Sequence, residues 1–274
     1  MTGFFASGPV HTALLVAFLV GVASGPVGVF TVMRGQSFAG HSLADTGTTG
    51  GAAAYLVGTN VLFGFVSFNL VAATVMEVVG ARQARSRDVS TGIVLGASLG
   101  LSALFLQLES RASTTGATIT VLFGSIFTLG STTLAIVIAL AGASLLILGW
   151  LYRPLLLSSV APDLAAARGV PVGLVGAAYL AALAFSVSLS AVTIGAILST
   201  ALLIGPAATA LRLTRRPGTA LLLAAAIGVV DAWLGIGLSY ASYYWPPVHH
   251  GWPVSFFVVA AVLAGYLASL AVKS

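Results

Sequence analysis

Long apolar runs, separated by short polar stretches, follow one another along almost the whole chain. A helix needs about 20 largely apolar residues to cross roughly 30 Å of hydrocarbon, and the runs repeatedly reach that length. The pattern therefore predicts an all-α, polytopic membrane protein that forms one transmembrane domain over residues 1–274. The nine predicted spans, or eight if one weak run is discounted, are Val10–Met33, His41–Gly58, Asn60–Gly80, Val89–Leu108, Thr133–Leu151, Val172–Leu189, Val192–Leu211, Thr219–Tyr240 and Val254–Val272.

The composition fits a chain that lives in a lipid bilayer. Only 6% of the 274 residues are charged and 58% are hydrophobic, whereas about a quarter of an ordinary soluble domain is charged. The chain has no cysteine, which excludes disulfides and thiolate metal ligands. It also has no glycine-rich phosphate loop ending in Gly-Lys-Ser/Thr. If ATP drives its activity, the ATPase must be another polypeptide, and we expect this chain to catalyse no reaction itself.

The basic residues gather in short clusters at the ends of the predicted spans. Short loops rich in arginine stay on the cytoplasmic side of a membrane, which explains the formal charge of +5 without nucleic acid as a partner. With nine spans, this rule predicts an N-terminus outside and a C-terminus in the cytoplasm. The clusters are Arg34; Arg82, Arg85 and Arg87; Arg153 and Arg168; Arg212, Arg215 and Arg216; and Lys273.

His41 and Asp45 lie four residues apart at the start of the second predicted span. On a helix this spacing places both side chains on one face, and ionisable groups within a membrane are costly and commonly functional. An imidazole and a carboxylate that converge provide half of a site for a borderline divalent cation such as Zn²⁺ or Mn²⁺. The alternative is a hydrogen-bonded pair that only steadies the helix near the membrane surface. The spacing alone does not separate these two interpretations.

The connection after the fifth predicted span contains the signals of a short helix over residues 160–171. Asp163 is a good residue for a helix start, and Gly169 can end a helix. This segment is either an ordinary connecting turn or a cytoplasmic docking helix that inserts into a partner protein. The residues that would make the docking helix are Pro162, Asp163, Leu164, Arg168 and Gly169.

Three further polar residues are candidates for the same pathway. Asp231 falls in the middle of a span, where it either lines a pathway or pairs helices. His249 and His250 belong to a proline-rich loop predicted outside the membrane, where they either collect metal or are inert. The region Ser110–Leu129 is too polar at first and too short afterwards to cross the bilayer comfortably, which predicts a short external helix or a re-entrant piece around Thr118–Leu129.

Five segments carry a family resemblance through their order along the chain. They are the segment from Met33 to Asp45, Leu122-Phe-Gly-Ser-Ile-Phe, Ala161-Pro-Asp-Leu-Ala-Ala-Ala-Arg-Gly-Val-Pro, Ile194-Gly-Ala-Ile-Leu-Ser-Thr-Ala-Leu-Leu-Ile-Gly-Pro-Ala-Ala-Thr-Ala and Gly237-Leu-Ser-Tyr. Over nearly its whole length the chain resembles the permease subunit of the ABC transporter family that takes up zinc, manganese or iron. The first segment of that family usually reads Gly-Asp-Ala-Leu-Ser-His, and its Asp and His help to form the metal site. Here the order is reversed, with His41 at the aspartate position and Asp45 at the histidine position.

The resemblance implies a fold like that of the type II ABC importers, in which residues 160–171 form the helix that couples the permease to its ATPase. It also implies a second copy of the chain, cytoplasmic ATP-binding subunits and an external metal-binding protein as partners. Zinc or manganese, with iron as a further option, would meet His41 and Asp45 only in transit, and no cofactor would be bound permanently. Two alternatives stay open. They are a permease for a metal chelate such as a siderophore or corrinoid, and an ion-coupled secondary transporter.

Overall fold

The computed structural model of the chain describes residues 8–80, 84–112, 122, 124, 126–127, 130–245 and 251–271. Within these ranges the chain is helical and contains no strand, so the predicted all-α fold is confirmed. The helices, in chain order, are α1 (Gly8–Met33), α2 (Ser37–Val57), α3 (Val61–Gly80), α4 (Ala84–Ala112), α5 (Ser131–Val160), α6 (Pro162–Ala167), α7 (Val172–Ile194), α8 (Ala196–Leu213), α9 (Pro217–Ser242) and α10 (Val254–Ala271).

In the described part of the chain, seven helices are long and apolar enough to cross a membrane, namely α1, α3, α4, α5, α7, α9 and α10. The other two long helices also correspond to predicted spans but have a different character. α2 contains 21 residues, many of them glycine or threonine, and at 1.5 Å per residue it is about 31 Å long. The apolar part of α8 is confined to Leu198–Leu213. Both helices pack against several neighbouring helices. Polar groups within a bilayer are tolerated where other parts of the protein cover them.

Two predicted spans show most clearly that hydropathy does not follow the backbone. The fifth span is predicted to end at Leu151, but α5 continues to Val160, since a helix can extend beyond the hydrocarbon layer. The seventh span is predicted to begin at Val192, whereas Gly195 separates α7 from α8 with a φ of 94°. Glycine adopts this conformation far more readily than other residues. The region Thr118–Leu129, predicted as an external helix or re-entrant piece, lies largely outside the described residues.

The centre of the bundle is formed by α1 and α7, while α4, α5 and α10 turn much of their surface outward. Small residues permit the tightest contact between neighbouring helices. A Cβ atom added to Gly50 of α2 or Gly64 of α3 would overlap the backbone of the other glycine. Because small residues allow close packing of helices in lipid, this contact holds α2 firmly against α3.

Buried polar side chains join the central helices. The hydroxyl oxygens of Ser24 on α1 and Ser190 on α7 are 2.9 Å apart, and Asn69 of α3 donates to the hydroxyl of Ser188 on α7 over 2.9 Å. Hydrogen bonds of this kind help to hold helices together where water is absent. These bonds join α7 to both α1 and α3. The helix that connects α1 to α3 along the chain, α2, carries the candidate site.

Candidate metal site

The start of α2 is set by the turn that precedes it. Gly35 has a φ of 65° and reverses the chain after α1, so that α2 begins at Ser37, one turn before His41. On its packed face α2 buries Leu43 and Ala44 in a core shared with α1, α3 and α7. The rigid packing of this face fixes the direction in which the opposite side of the helix points.

His41 and Asp45 lie together on the less buried side of α2. The His41 Nε2 atom is 3.5 Å from the Asp45 Oδ2 atom, and 47% of the His41 side chain and 18% of the Asp45 side chain are exposed. The predicted convergence of the two side chains is therefore present in the structure. Both the nitrogen and the carboxylate can be reached from the surface of the chain, as a site for a transported ion requires.

Thr200 of α8 is a third member of this cluster, which sequence reasoning missed. Its Oγ1 atom is 3.2 Å from the Nδ1 atom of His41, across 159 positions of sequence. In the tautomer that donates from Nδ1 to the hydroxyl, Nε2 keeps its lone pair and faces Asp45. Metal-binding histidines are commonly oriented by such a bond from the other ring nitrogen. The sequence signal was the segment from Ile194 to Ala210, but nothing in it indicated which hydroxyl faces α2.

The cluster supplies few protein ligands. Among the described residues, no group of three or more His, Cys, Asp or Glu side chains is close enough to hold a metal ion. One imidazole nitrogen and one carboxylate would leave the other coordination positions of a divalent ion to water or hydroxyl oxygens. Such a site suits an ion that enters and leaves, because a transport pathway must bind its ion weakly enough to release it.

The short helix expected over residues 160–171 is α6, Pro162–Ala167, at the end of α5. Pro162 occupies its first turn with Asp163, and Gly169 follows with a φ of 78° that ends it. Ala165 is buried against the bundle, whereas Leu164 is 46% exposed. α6 therefore presents an apolar side chain on an exposed surface next to α5 and α7.

Arg34 connects the region around α6 with the start of α2. Its Nη1 atom donates to the hydroxyl of Ser158 over 3.1 Å and to that of Ser159 over 3.5 Å, both in the last turn of α5. Its Nε atom donates to Gln36 Oε1 over 3.3 Å, just before α2. The guanidinium carbon also lies 5.1 Å from the centre of the Tyr179 ring on α7. The Arg34 side chain thus contacts α5, α7 and the residue before α2.

Of the remaining sequence candidates, Asp231 is described by the structure and does not join the His41–Asp45 pair. Asp231 of α9 is buried, with 5% of its surface exposed, and its Oδ2 atom has no hydrogen-bond partner in the described part of the chain. α9 packs mainly on α1, α8 and α10, whereas α2 packs on α3, α4, α7 and α8. His249 and His250 lie outside the described residues.

The fold is that of a multi-pass membrane protein, with an exposed histidine–carboxylate pair on one of its helices. The profile of the ABC 3 transport family matches residues 9–270, and the chain belongs to that family. The family recognised from the sequence is thereby confirmed.

Relatives and a solved structure support this assignment. The chain is 32% identical over 228 residues to the manganese transport system membrane protein MntC of Halalkalibacterium halodurans, covering 83% of this chain and 77% of that protein. It is 29% identical over 210 residues to the high-affinity zinc uptake system membrane protein ZnuB of Haemophilus influenzae, covering 75% and 78% of the two chains. A solved structure, PsaBC from Streptococcus pneumoniae in complex with Fab, matches with a TM-score of 0.84 and 26% identity over 99% of this chain and 94% of that one. None of these comparisons supports the expected pairing with a second copy of the chain.

Proposed function

We propose that this chain is the permease of an ATP-driven importer for a divalent transition metal ion, manganese or zinc, with iron as a less favoured cargo. The observation that carries the proposal is the His41–Asp45 pair, which places a nitrogen and a carboxylate oxygen 3.5 Å apart on a span of a chain from this transport family. These two donors suit borderline divalent cations. The names of the manganese and zinc relatives point to the same cargo.

The proposed mechanism is alternating access around this pair. An ion delivered from outside exchanges part of its water shell for His41 Nε2 and the Asp45 carboxylate, and it leaves when the pathway opens to the cytoplasm. Thr200 holds the imidazole in the orientation that presents Nε2 to the ion, because its hydroxyl is bonded to the other ring nitrogen. The chain binds and releases the ion without changing it chemically, so the energy must come from ATP hydrolysis on separate subunits.

The proposed route for that energy begins at α6. Leu164 is exposed on this helix and offers an apolar contact to an ATP-binding subunit. Movement of α6 displaces the last turn of α5, where Ser158 and Ser159 bind Arg34. Arg34 also binds Gln36 next to α2, so the displacement is passed to the helix that carries the ion ligands.

The proposed membrane location and orientation follow from the distribution of charge and from the family of the chain. We place the chain in the cell membrane of a prokaryote, with its N-terminus outside and the arginine clusters at Arg153–Arg168 and Arg212–Arg216 in the cytoplasm. An external metal-binding protein delivers the ion. Single cysteines introduced in this cysteine-free chain test the orientation. A membrane-impermeant thiol reagent should label none of these clusters from outside, and labelling there would reverse the topology.

Uptake by the reconstituted complex tests the function. The chain and its ATPase are placed in proteoliposomes, and entry of Mn²⁺ or Zn²⁺ is measured with and without enclosed ATP. We expect uptake only with ATP and the ATPase, and no change when proton and sodium gradients are collapsed. Uptake that follows a gradient without the ATPase would identify a secondary transporter instead. Uptake of a metal–siderophore or corrinoid complex in preference to the free ion would identify a chelate permease.

A variant of α6 tests the coupling route. Leu164→Asp places a charge at the docking surface, where an unpaired buried carboxylate costs several kcal/mol, so transport should fall while the chain still inserts. Gly169→Pro should act similarly, because proline does not adopt the φ of 78° found there. The control is Leu213→Asp, which charges a leucine of comparable exposure, 40%, at the end of α8. Equal uptake by the control and both α6 variants would make α6 a simple connector.

A further inference from the structure

A groove on the outer surface of the bundle lies between α1, α5 and α9, and neither His41 nor Asp45 lines it. Its volume is about 420 Å³. Its lining is apolar along the whole length and includes a kink-forming proline and a glycine that leaves space. The principal lining residues are Pro26, Phe30, Leu148, Gly149, Leu221 and Ala225.

The rims of this groove face away from the protein. Leu146 and Trp150 on α5 are 75% and 87% exposed, and Leu222 on α9 is 75% exposed. Both helices are long and apolar enough to cross a membrane, so side chains this apolar and this exposed are suited to contact with the hydrocarbon of lipids. The groove is therefore open sideways to the bilayer.

One end of the groove carries positive charge. Tyr152 lines that end, and its hydroxyl would be 3.6 Å from a Cβ atom on Gly218, which places the last turns of α5 level with the first turn of α9. Arg153 follows Tyr152 directly, and Arg215 and Arg216 directly precede α9; all three are exposed. In the described part of the chain none of the three forms an ion pair with a carboxylate.

We propose that this groove is a binding site for an anionic phospholipid. One acyl chain occupies the apolar groove, and the phosphate of the headgroup contacts Arg153 together with Arg215 or Arg216. Basic pockets between spans bind anionic headgroups. Here the three arginines lie near one end of the apolar groove. The volume of about 420 Å³ and the apolar lining suit an acyl chain. This lipid site is independent of which ion the chain transports.

Lipid retention by the full chain tests the headgroup contact. The protein, purified in detergent, is titrated with phosphatidylglycerol or with phosphatidylcholine of identical acyl chains, and bound lipid is counted by native mass spectrometry. Phosphatidylglycerol should bind more tightly, and Arg153→Gln or Arg216→Gln should each weaken it about fivefold. The matched control is Arg212→Gln, because the Arg212 guanidinium lies over the Tyr266 ring of α10, at 6.0 Å, rather than at the groove. The affinity of the Arg212→Gln variant for phosphatidylglycerol should stay within about twofold of that of the unaltered chain.

A second pair of variants tests the acyl-chain contact. At Gly149, which lines the groove, and at Gly142, which does not, an added Cβ atom meets nothing within 4 Å. Gly149→Phe should fill the groove and weaken both lipids, and Gly142→Phe should weaken neither, with unchanged melting temperatures showing that both variants fold. Equal losses in Arg212→Gln and Arg153→Gln, or full binding by Gly149→Phe, would overturn the proposal. Disulfide-linked dimers of Leu222→Cys in membranes would assign the groove to a second copy and overturn it as well.

Discussion

Asp45 and Asp231 are carboxylates on two helices of the bundle, and their surroundings contrast. Asp45 of α2 has a histidine nitrogen 3.5 Å away and is partly exposed. Asp231 of α9 is almost completely buried, and its Oδ2 atom has no hydrogen-bond partner among the described residues. Both break an apolar run, and a hydropathy plot treats them alike.

The contrast shows what distinguishes an ion site from a polar residue used in packing. A site for a transported ion needs a second donor and a way in, and Asp45 has both. Asp231 has neither in the described structure, and its helix packs tightly on both sides of it. A Cβ atom on Gly228 would lie 3.3 Å from the Gly21 carbonyl oxygen of α1, and Gly235 packs on Val258 of α10. This burial favours the role of pairing helices for Asp231.

The largest expected effect is loss of transport when either member of the pair is removed. His41→Ala and Asp45→Ala should each reduce ATP-dependent metal uptake in proteoliposomes by more than about 100-fold, since outer ligand partners alone change metal affinity 10–100-fold. If both residues serve one site, as proposed, the double variant should be scarcely worse than either single variant. Uptake is normalised to intact complex. Full activity per folded complex in either alanine variant would remove that residue from the site.

A smaller effect is expected when the two residues are exchanged. The variant His41→Asp with Asp45→His restores the order usual in the family and keeps both donors on the same face of α2. We expect it to retain part of the uptake, with an altered ratio of Mn²⁺ to Zn²⁺ transport measured in competition. The matched comparison is the double alanine variant, which has the same number of changes and no donors. Identical, negligible uptake by both would show that His41 and Asp45 work only in their present order.

Much of the bundle follows from the sequence because a bilayer imposes length and hydropathy on every span. Each of the nine predicted spans corresponds to a helix, and α10 agrees with its prediction to within one residue. The predicted boundaries fail where the conformation of the backbone, and not contact with lipid, determines where a helix ends. Gly195 breaks the chain inside an apolar run because its φ of 94° ends α7, and hydropathy cannot detect a dihedral angle. In α5 the helix continues past Leu151 to Val160, because the backbone can remain helical after it emerges from the bilayer.

The candidate site was half predictable for a related reason. His41 and Asp45 are neighbours through helical periodicity, so their spacing predicted that they converge. Thr200 joins them only because α8 packs against α2, and no local pattern contains that information. Arg34 was interpreted from its charge as a marker of the cytoplasmic side, whereas its contacts with Ser158 and Gln36 depend on how three helices meet.

The next effect in size concerns Thr200, which orients the imidazole without belonging to the ligand pair. Thr200→Val keeps the shape and removes the hydroxyl, and we expect about tenfold weaker apparent affinity for the ion in uptake, with a smaller change in maximal rate. Thr200→Ser should restore most of the affinity because it returns the hydroxyl. The control is Thr209→Val on the same helix, since the Thr209 hydroxyl donates to the Gly205 carbonyl of its own helix over 2.9 Å. Equal affinity in the two valine variants would exclude a positioning role for Thr200.

The smallest effect is expected at Asp231, where the comparison between the two carboxylates is most direct. Asp231→Asn removes the charge and nearly preserves the shape, as Asp45→Asn does in the pair. If burial assigns Asp231 to helix packing, uptake should stay within about twofold of the unaltered chain. The melting temperature of the purified chain should rise by about 2–4 °C, which corresponds to roughly 1 kcal/mol in a chain of this size, because an unpaired buried carboxylate is costly. Asp45→Asn should behave in the opposite way, with uptake lost and stability little changed. A loss of uptake in Asp231→Asn as large as in Asp45→Asn would instead place Asp231 on the path of the ion, and the contrast between the two surroundings would then reflect different stages of transport.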